Sequence, residues 1–514
     1  MASSPHFIGL RGQPLTVALI FLVVLPSYVI FGYNQANLGG LLGLEDWTST
    51  FPEIDTAHTT GSTKSRHATL QGLVVASFTL GAIPGCLSCS YTADRLGRRP
   101  VIFAGALVSL VGEILEASSF GLAQLIVGRV ILGVGTGILS GVVPTWLSEL
   151  SSSQHRGKQV VLTGLFLTLG YVLQAWINLG FFFTVGAISW RVPISICAFF
   201  NLLLMTVILF MPESPRWLIR VGRESEAIAT MRALKDLSED SLEIMTDVAG
   251  IHLSLEESTG HTSLLSLMKM GQDRLAYRFG ICMLLQLYQQ LSGGNLISVY
   301  STIIFQQGLG LDAETSRILS GGALTWKLVA GFIPFFIIDR FGRRVCLMIS
   351  GTGMAACMLG LTVATSFPKS NFVAQVISVL FVFLFNFFLS IGFLGVNFLY
   401  CIEVVLIRLR VVMLSISTAN HWLWNFVVTI ITPVAIANIG YRYYIVYTII
   451  GALIPMSIYF LYPETMGLGL EDIDLIFRES PSALGIVRYS KTRPHRIETE
   501  GVSEKAAARH CERI

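Results

Sequence analysis

The chain has 514 residues, 53% of them hydrophobic and 13% charged, with a net charge of +3 and a mean hydropathy of +0.66. An ordinary soluble domain carries roughly 25% charged residues, so most of this surface cannot face water. The composition excludes a soluble enzyme and a nucleic-acid binder and indicates a polytopic membrane protein, in which charge placement matters more than charge total.

Crossing a hydrocarbon layer of ~30 Å takes about 20 apolar residues. Runs of that kind are predicted near 14–40, 68–90, 100–121, 124–147, 159–184 and 191–211. The first run has no small-residue cleavage site and leads into further spans, so it reads as a membrane helix rather than a signal peptide. A charged stretch follows over 212–275, with soluble helices expected at 224–237 and 240–257. That stretch is either a solvated linker or a collar touching the ends of the spans. Six more runs lie near 276–305, 316–338, 345–367, 372–402, 411–438 and 441–462. The division expected is an N-terminus over 1–13, a six-helix bundle over 14–211, the linker over 212–275, a second bundle over 276–463 and a mostly disordered tail over 464–514.

The two sets of six are copies of one unit. Asp94-Arg-Leu-Gly-Arg-Arg99 returns as Asp339-Arg-Phe-Gly-Arg-Arg344. Glu149 with Arg156 returns as Glu403 with Arg410, and Pro212-Glu213-Ser214 as Pro463-Glu464-Thr465. Matched fragments at a near-constant spacing of about 250 residues identify an internal repeat. The same loops hold most of the arginines, and the basic tail lies on their side. Both termini are therefore expected in the cytoplasm, most simply at the plasma membrane.

Other patterns carry less chemistry. Gly133, Gly137 and Gly141 share a helical face and suit close packing in lipid rather than a nucleotide loop. Cys86-x-x-Cys89 has no second pair or nearby His, so it reads as packing rather than a metal site. No nucleophile triad, metal cluster or phosphate loop is present, so neither enzyme activity nor a cofactor is expected.

Residues 68–475 resemble the sugar porter branch of the major facilitator superfamily, and the first span fits more loosely. The motifs that carry the resemblance are the Asp94–Arg99 run, Gly128-Arg129, Pro144-x-x-x-x-Glu149 with Arg156-Gly157, and Pro212-Glu-Ser-Pro-Arg-Trp217. Gln289-Gln290-Leu-Ser-Gly293 with Asn295, and Pro463-Glu464-Thr465-x-Gly467, complete the series. The resemblance implies an all-α membrane protein with twelve transmembrane helices in two pseudo-symmetric six-helix bundles. A single substrate site between the bundles would be exposed alternately to each side.

Charged residues at helix ends can pair across the interface between the bundles and bias a two-state equilibrium if the pairs differ between states. The implied network is Asp94, Arg98, Arg99, Arg129, Glu149, Arg156 and Glu213, with Asp339, Arg343, Arg344, Glu403, Arg410 and Glu464. A role in topology alone does not explain the repeated carboxylates, since acids contribute little to orientation.

A neutral polyol needs amide and indole groups that donate and accept hydrogen bonds beside an aromatic face. The seventh span offers Gln289, Gln290, Asn295 and Tyr300, and the eleventh His421, Trp422 and Asn425. By resemblance, Gln289, Gln290, Asn295 and Asn425 fall on sugar-contacting positions. Other such positions are altered: Gly164 replaces Gln, Asn397-Phe398 replaces Pro-Trp, His421 replaces Asn, and Lys327 replaces Asn. Lys327 lies twelve residues before Asp339, about 18 Å from that helix end, where an ionisable group is expected to touch substrate or a partner. Asn34 stands where proton-coupled relatives commonly carry Asp. An amide cannot exchange a proton, which points to facilitated diffusion, with His421 or Glu113 as other routes for proton coupling.

The reading is thus a single-chain carrier for a sugar or sugar-like polyol. A same-fold carrier of an acidic or specialised metabolite, proton-coupled or not, is the alternative. A non-transporting nutrient sensor ranks behind both, because its signalling tail would be expected to be longer than about fifty residues.

Overall fold

The structure, a computed structural model, describes residues 7, 9–56, 58–151, 156–237, 241–256, 269–406, 409–468, 470–480, 482 and 485–492. Among them, nine helices are long and apolar enough to cross a membrane, or ten when Ala313–Ala330 and Pro334–Phe341, bent by 44°, count as one span. Val412–Leu461 contains two crossings that reverse at Gly440, where φ is +53°. Leu275–Leu291 and Gly294–Ile303 make one more, interrupted at Gly293. Together these give twelve crossings, six in each half, as the sequence leads one to expect.

The remaining spans are Gly12–Leu41, Gly61–Leu96, Arg98–Ala117, Leu122–Leu150, Arg156–Phe182 and Ile188–Ile208 in one half. Arg343–Thr365 and Phe372–Val404 complete the other. Buried side chains gather into separate cores. One is built around Leu19, Val101, Trp146 and Leu204, another around Leu285, Met354, Phe385 and Ile454. Large apolar residues such as Leu80, Val127, Phe199, Leu380 and Phe460 face outward, as contact with lipid requires. The halves meet where the first span packs on the seventh, the second on the eleventh and the fifth on the eighth.

Small residues set the closest approaches. A Cβ at Gly133 would lie 2.0 Å from the Phe78 carbonyl oxygen, and one at Gly137 would lie 2.2 Å from that of Ala82. The glycine face expected from the sequence therefore seats the fourth span on the second. Cys86 and Cys89 lie in the same seam, their thiols donating to the Ser415 and Ile138 carbonyls.

In the charged stretch, helices span Pro215–Arg220, Glu224–Lys235 and Leu242–Glu256 around a small core of Trp217, Met231 and Ile244. The stretch touches the ends of the spans. Arg220 pairs with Asp94 at 2.7 Å, the Trp217 indole donates to the Asp94 carbonyl, and Asp236 lies against Gly12.

Part of the tail is helical. Leu470–Glu479 is helical and buries Ile473, Ile476 and Phe477 against the second half, with Asp474 paired to the buried Arg278. Ile486–Thr492 is also helical. The apolar spacing at 473, 476 and 477 gives that segment a packing face. Residues 493–514 lie outside the described residues.

Candidate functional site

The repeated charged motif builds the same device twice. At Gly97 (φ +92°) and Gly342 (φ +84°) the chain turns between helices in a conformation that favours glycine. A Cβ there would also lie 2.7 Å from Glu213 Oε2 or 2.5 Å from Glu464 Oε2. The space is needed because Glu213 accepts from the N–H groups of Arg98 and Arg99, both at 3.0 Å. Glu464 does the same for Arg343 and Arg344 at 3.0 and 3.1 Å. Each carboxylate thus sits on the N-terminus of the following helix. Burial raises the Glu213 carboxyl above its ordinary range, and the N–H donors of Ser214, Arg99 and Arg98 oppose that shift.

Arg98 forms a two-pronged pair with Glu149, both contacts 2.9 Å, and approaches Asp94 at 3.5 Å. Arg343 meets Glu403 at 3.1 Å and Asp339 at 3.2 Å. Arg99 donates to the Ile208 and Leu209 carbonyls, and Arg344 to that of Tyr459. The expectation of pairing across the interface is corrected here: each of these pairs stays within one half. Arg129 stands apart, near the opposite end, buried against Glu116 at 3.0 Å and the Val74 carbonyl at 2.9 Å. The side chains of Arg156 and Arg410 lie outside the described residues.

Between the halves, a cavity reaches toward this basic end, its lining including Leu147, Ser148, Cys401, Ile402 and Thr418. A second, smaller pocket continues it toward the middle of the spans. The two share Phe31, Leu167, Leu394, Phe398 and His421. At the far end the halves are closed. A Cβ at Gly39 would lie 2.0 Å from the Val299 carbonyl oxygen, and one at Gly72 would lie 2.5 Å from that of Ile430.

The central pocket forms where helices break. The seventh span turns at Gly293 (φ +97°), and the tenth divides into Phe372–Gly392 and Val396–Val404. Irregular backbone is tolerated at such depth where it lines a cavity. Gln289, Gln290, Asn295, Lys327, Phe398 and His421, all expected from the sequence, line this pocket. Gln290 donates to a His421 ring nitrogen at 2.9 Å and accepts from Asn295 at 2.6 Å. Asn295 accepts from Gln35, in the other half, at 2.9 Å. Gln289 accepts from Asn397 at 2.5 Å and donates to the Phe393 carbonyl at 3.2 Å. The His421 ring lies between the Gln290 amide nitrogen and the Gln289 amide oxygen, so a neutral imidazole satisfies both.

Lys327 is 3% exposed. Its ammonium donates to Ser298 Oγ at 2.8 Å and lies 4.8 Å from the centre of the Tyr171 ring. Neither Glu113 nor Glu116 reaches it. Glu113 accepts from Asn201 at 3.0 Å, and Glu116 is held by Arg129. The altered fifth-span position has a steric reason, since a Cβ at Gly164 would lie 2.5 Å from the Leu394 carbonyl oxygen.

Four expected site residues do not line either cavity in this conformation. Asn34 is buried within the first half, and its neighbour Gln35 takes the pocket-facing position. Adjacent helical residues point about 100° apart, so one residue decides the face. Tyr300 donates to the Thr429 carbonyl at 3.0 Å in the closed far seam. Asn425 accepts from Thr429 at 3.1 Å in the same seam. Trp422 bridges the halves, packing tilted against Phe31 with ring centres 4.7 Å apart and donating to Ser140 at 3.2 Å. Gln35, Phe31 and Tyr171 were missed, and only the position of Gln35 beside Asn34 pointed toward any of them.

A family model described as Sugar (and other) transporter matches residues 19–477. Sugar transporter STL1 of Saccharomyces cerevisiae is 32% identical over 478 residues, 92% of this chain and 83% of that protein. MFS-type transporter oryC of Aspergillus oryzae is 31% identical over 487 residues, 93% and 88% of the two chains. Among solved structures, the proton:xylose symporter XylE bound to 6-bromo-6-deoxy-D-glucose superposes with a TM-score of 0.77 at 22% identity. The match covers 91% of this chain and all of that one, and at this identity the likeness concerns the fold.

Proposed function

The chain belongs to the sugar (and other) transporter family of the major facilitator superfamily, and on that premise we propose that it carries a sugar or sugar-like polyol by alternating access. It is a transporter, not an enzyme. One observation carries the reading: a polar pocket between the halves, lined by Gln35, Gln289, Gln290, Asn295 and His421, that continues toward one end and is shut at the other. Amides that donate and accept suit hydroxyl groups, and Phe31 and Phe398 supply apolar faces for a sugar ring. The charged motifs then act as clamps that tie the helix ends together within each half. We read the basic end as cytoplasmic, the plasma membrane as the location and one chain as the working unit. Counterflow in proteoliposomes with hexoses, polyols and sugar acids tests the proposal: exchange of a labelled hexose is expected, and no exchange of any member would end it.

Transport runs by facilitated diffusion in this reading, because Asn34 is an amide with no proton to exchange and lies outside the pocket. A protonophore, at constant membrane potential, is therefore expected to leave uptake unchanged. Collapse of uptake would instead assign proton coupling.

A second reading, a carrier for an acidic metabolite, is favoured by Lys327, whose ammonium has a single hydroxyl acceptor among the described residues. Lys327→Gln is expected to lower affinity for sugar acids by about tenfold or more relative to neutral hexoses. An unchanged ranking in counterflow competition would remove this reading.

A further inference from the structure

The eighth span carries a second buried cation besides Lys327. Arg317 is 4% exposed, and no carboxylate pairs with it among the described residues. Its terminal nitrogens reach only main-chain oxygens, Ala313 at 3.0 Å and Gly40 at 3.4 Å, and its Nε has no partner. One face of the guanidinium rests 4.2 Å from the centre of the Phe182 ring. Arg317 and Lys327 are ten residues apart, so a helix places them roughly 80° apart in bearing and about 15 Å apart along its axis.

A separate small pocket, with room for about one water in this closed state, lies at the far end, and Arg317 lines it with Gln174, Asn178, Thr302 and Ser320. Asn178 Oδ1 in that lining is buried without a partner. Ser298 lines this cavity and also accepts the Lys327 ammonium, so one hydroxyl joins the outer cavity to the central pocket. A buried guanidinium with free donors, amide and hydroxyl groups around it, and no anion of its own is suited to a carboxylate.

We propose that Arg317 forms an outer binding station for a carboxylate-bearing small molecule, from which the anion passes by way of Ser298 to Lys327. The inference rests on the carrier reading and adds sugar acids and related monocarboxylates to its cargo. The station is shut in the present conformation and becomes reachable when the far seam opens. A purely structural Arg317, stapling the eighth span to the Gly40 carbonyl, would act alike on every substrate.

The full-length protein in proteoliposomes tests this with D-glucuronate, D-gluconate and lactate as probes, and D-glucose as the neutral control. Arg317→Gln is expected to raise the far-side half-saturation for the preferred carboxylate about tenfold or more. Glucose exchange and carboxylate affinity from the basic side are expected to change less than about threefold, and Arg317→Lys, which keeps the charge as a point donor, to recover part of the loss. Equal effects on glucose and carboxylates, or no effect on either, would overturn the station. So would a wild-type protein that exchanges glucose but neither binds nor moves any carboxylate, an outcome that leaves the carrier reading standing. Arg317-dependent carboxylate binding without exchange of any probe would preserve the site and end the carrier reading.

Discussion

Gly39→Val is expected to hold the transporter open at its far end and to reduce exchange by about 100-fold. Gly39 in the first span faces the Val299 carbonyl in the seventh, and a Cβ would come within 2.0 Å of that oxygen. The obstacle is backbone, so it cannot rotate away. Overpacking of this kind costs up to about 3 kcal/mol, which moves a two-state equilibrium by a factor on the order of 100. The clash exists only when the far seam is shut. The variant should therefore fold and reach the membrane while the closed-seam state is depopulated. Transport measures the loss, and a cysteine introduced by Thr418→Cys, in the basic-end cavity, reports the population. Its alkylation from the basic side should slow in the Gly39→Val background. Unchanged exchange together with unchanged alkylation would show that the seam does not open during the cycle.

The second large effect is expected at Gln290. Its amide nitrogen serves His421 and its oxygen receives Asn295, which in turn holds Gln35 of the other half. Gln290→Leu keeps the approximate volume but strands two buried polar partners, at about 1–3 kcal/mol each. Substrate hydroxyls depend on the same amides, so exchange of the preferred substrate should fall by about 100-fold or more. Size-exclusion behaviour in detergent is expected to stay that of wild type. Exchange within about threefold of wild type would remove the pocket from the transport path.

The two predictions differ in where their information came from. Gln290 was visible in the sequence as part of a polar run in a span, next to a glycine that breaks the helix. Costly polar groups in an apolar segment mark their own importance, and Gln289, Asn295, Lys327 and His421 were found in the same way. Gly39 carried no such mark. It is one of 48 glycines, and only the approach of a carbonyl from a residue 260 positions away gives it a role.

Asn34 and Gln35 show the limit more sharply. The motif located the segment, but a turn of about 100° per residue put the neighbour in the pocket. Tyr300, Trp422 and Asn425 lie on the right spans but in a seam, because their exposure depends on which end is shut. The charged repeat was legible as chemistry and as symmetry. The partners of Arg98 and Arg343 were not, since a carboxylate on the same half and one on the other half look alike in a linear chain.

Taken by itself, the chain determined its environment, its duplication and the order of its spans, because hydropathy, repeat spacing and charge placement are properties of local sequence. It also named most of the polar side chains of the pocket, because lipid would reject them. The tertiary structure alone decided which halves pair, which end is closed, that Lys327 and Arg317 have no carboxylate partner among the described residues, and that one serine joins their cavities. Those facts depend on distances between residues far apart in the chain, and such distances arise only when separate helices pack.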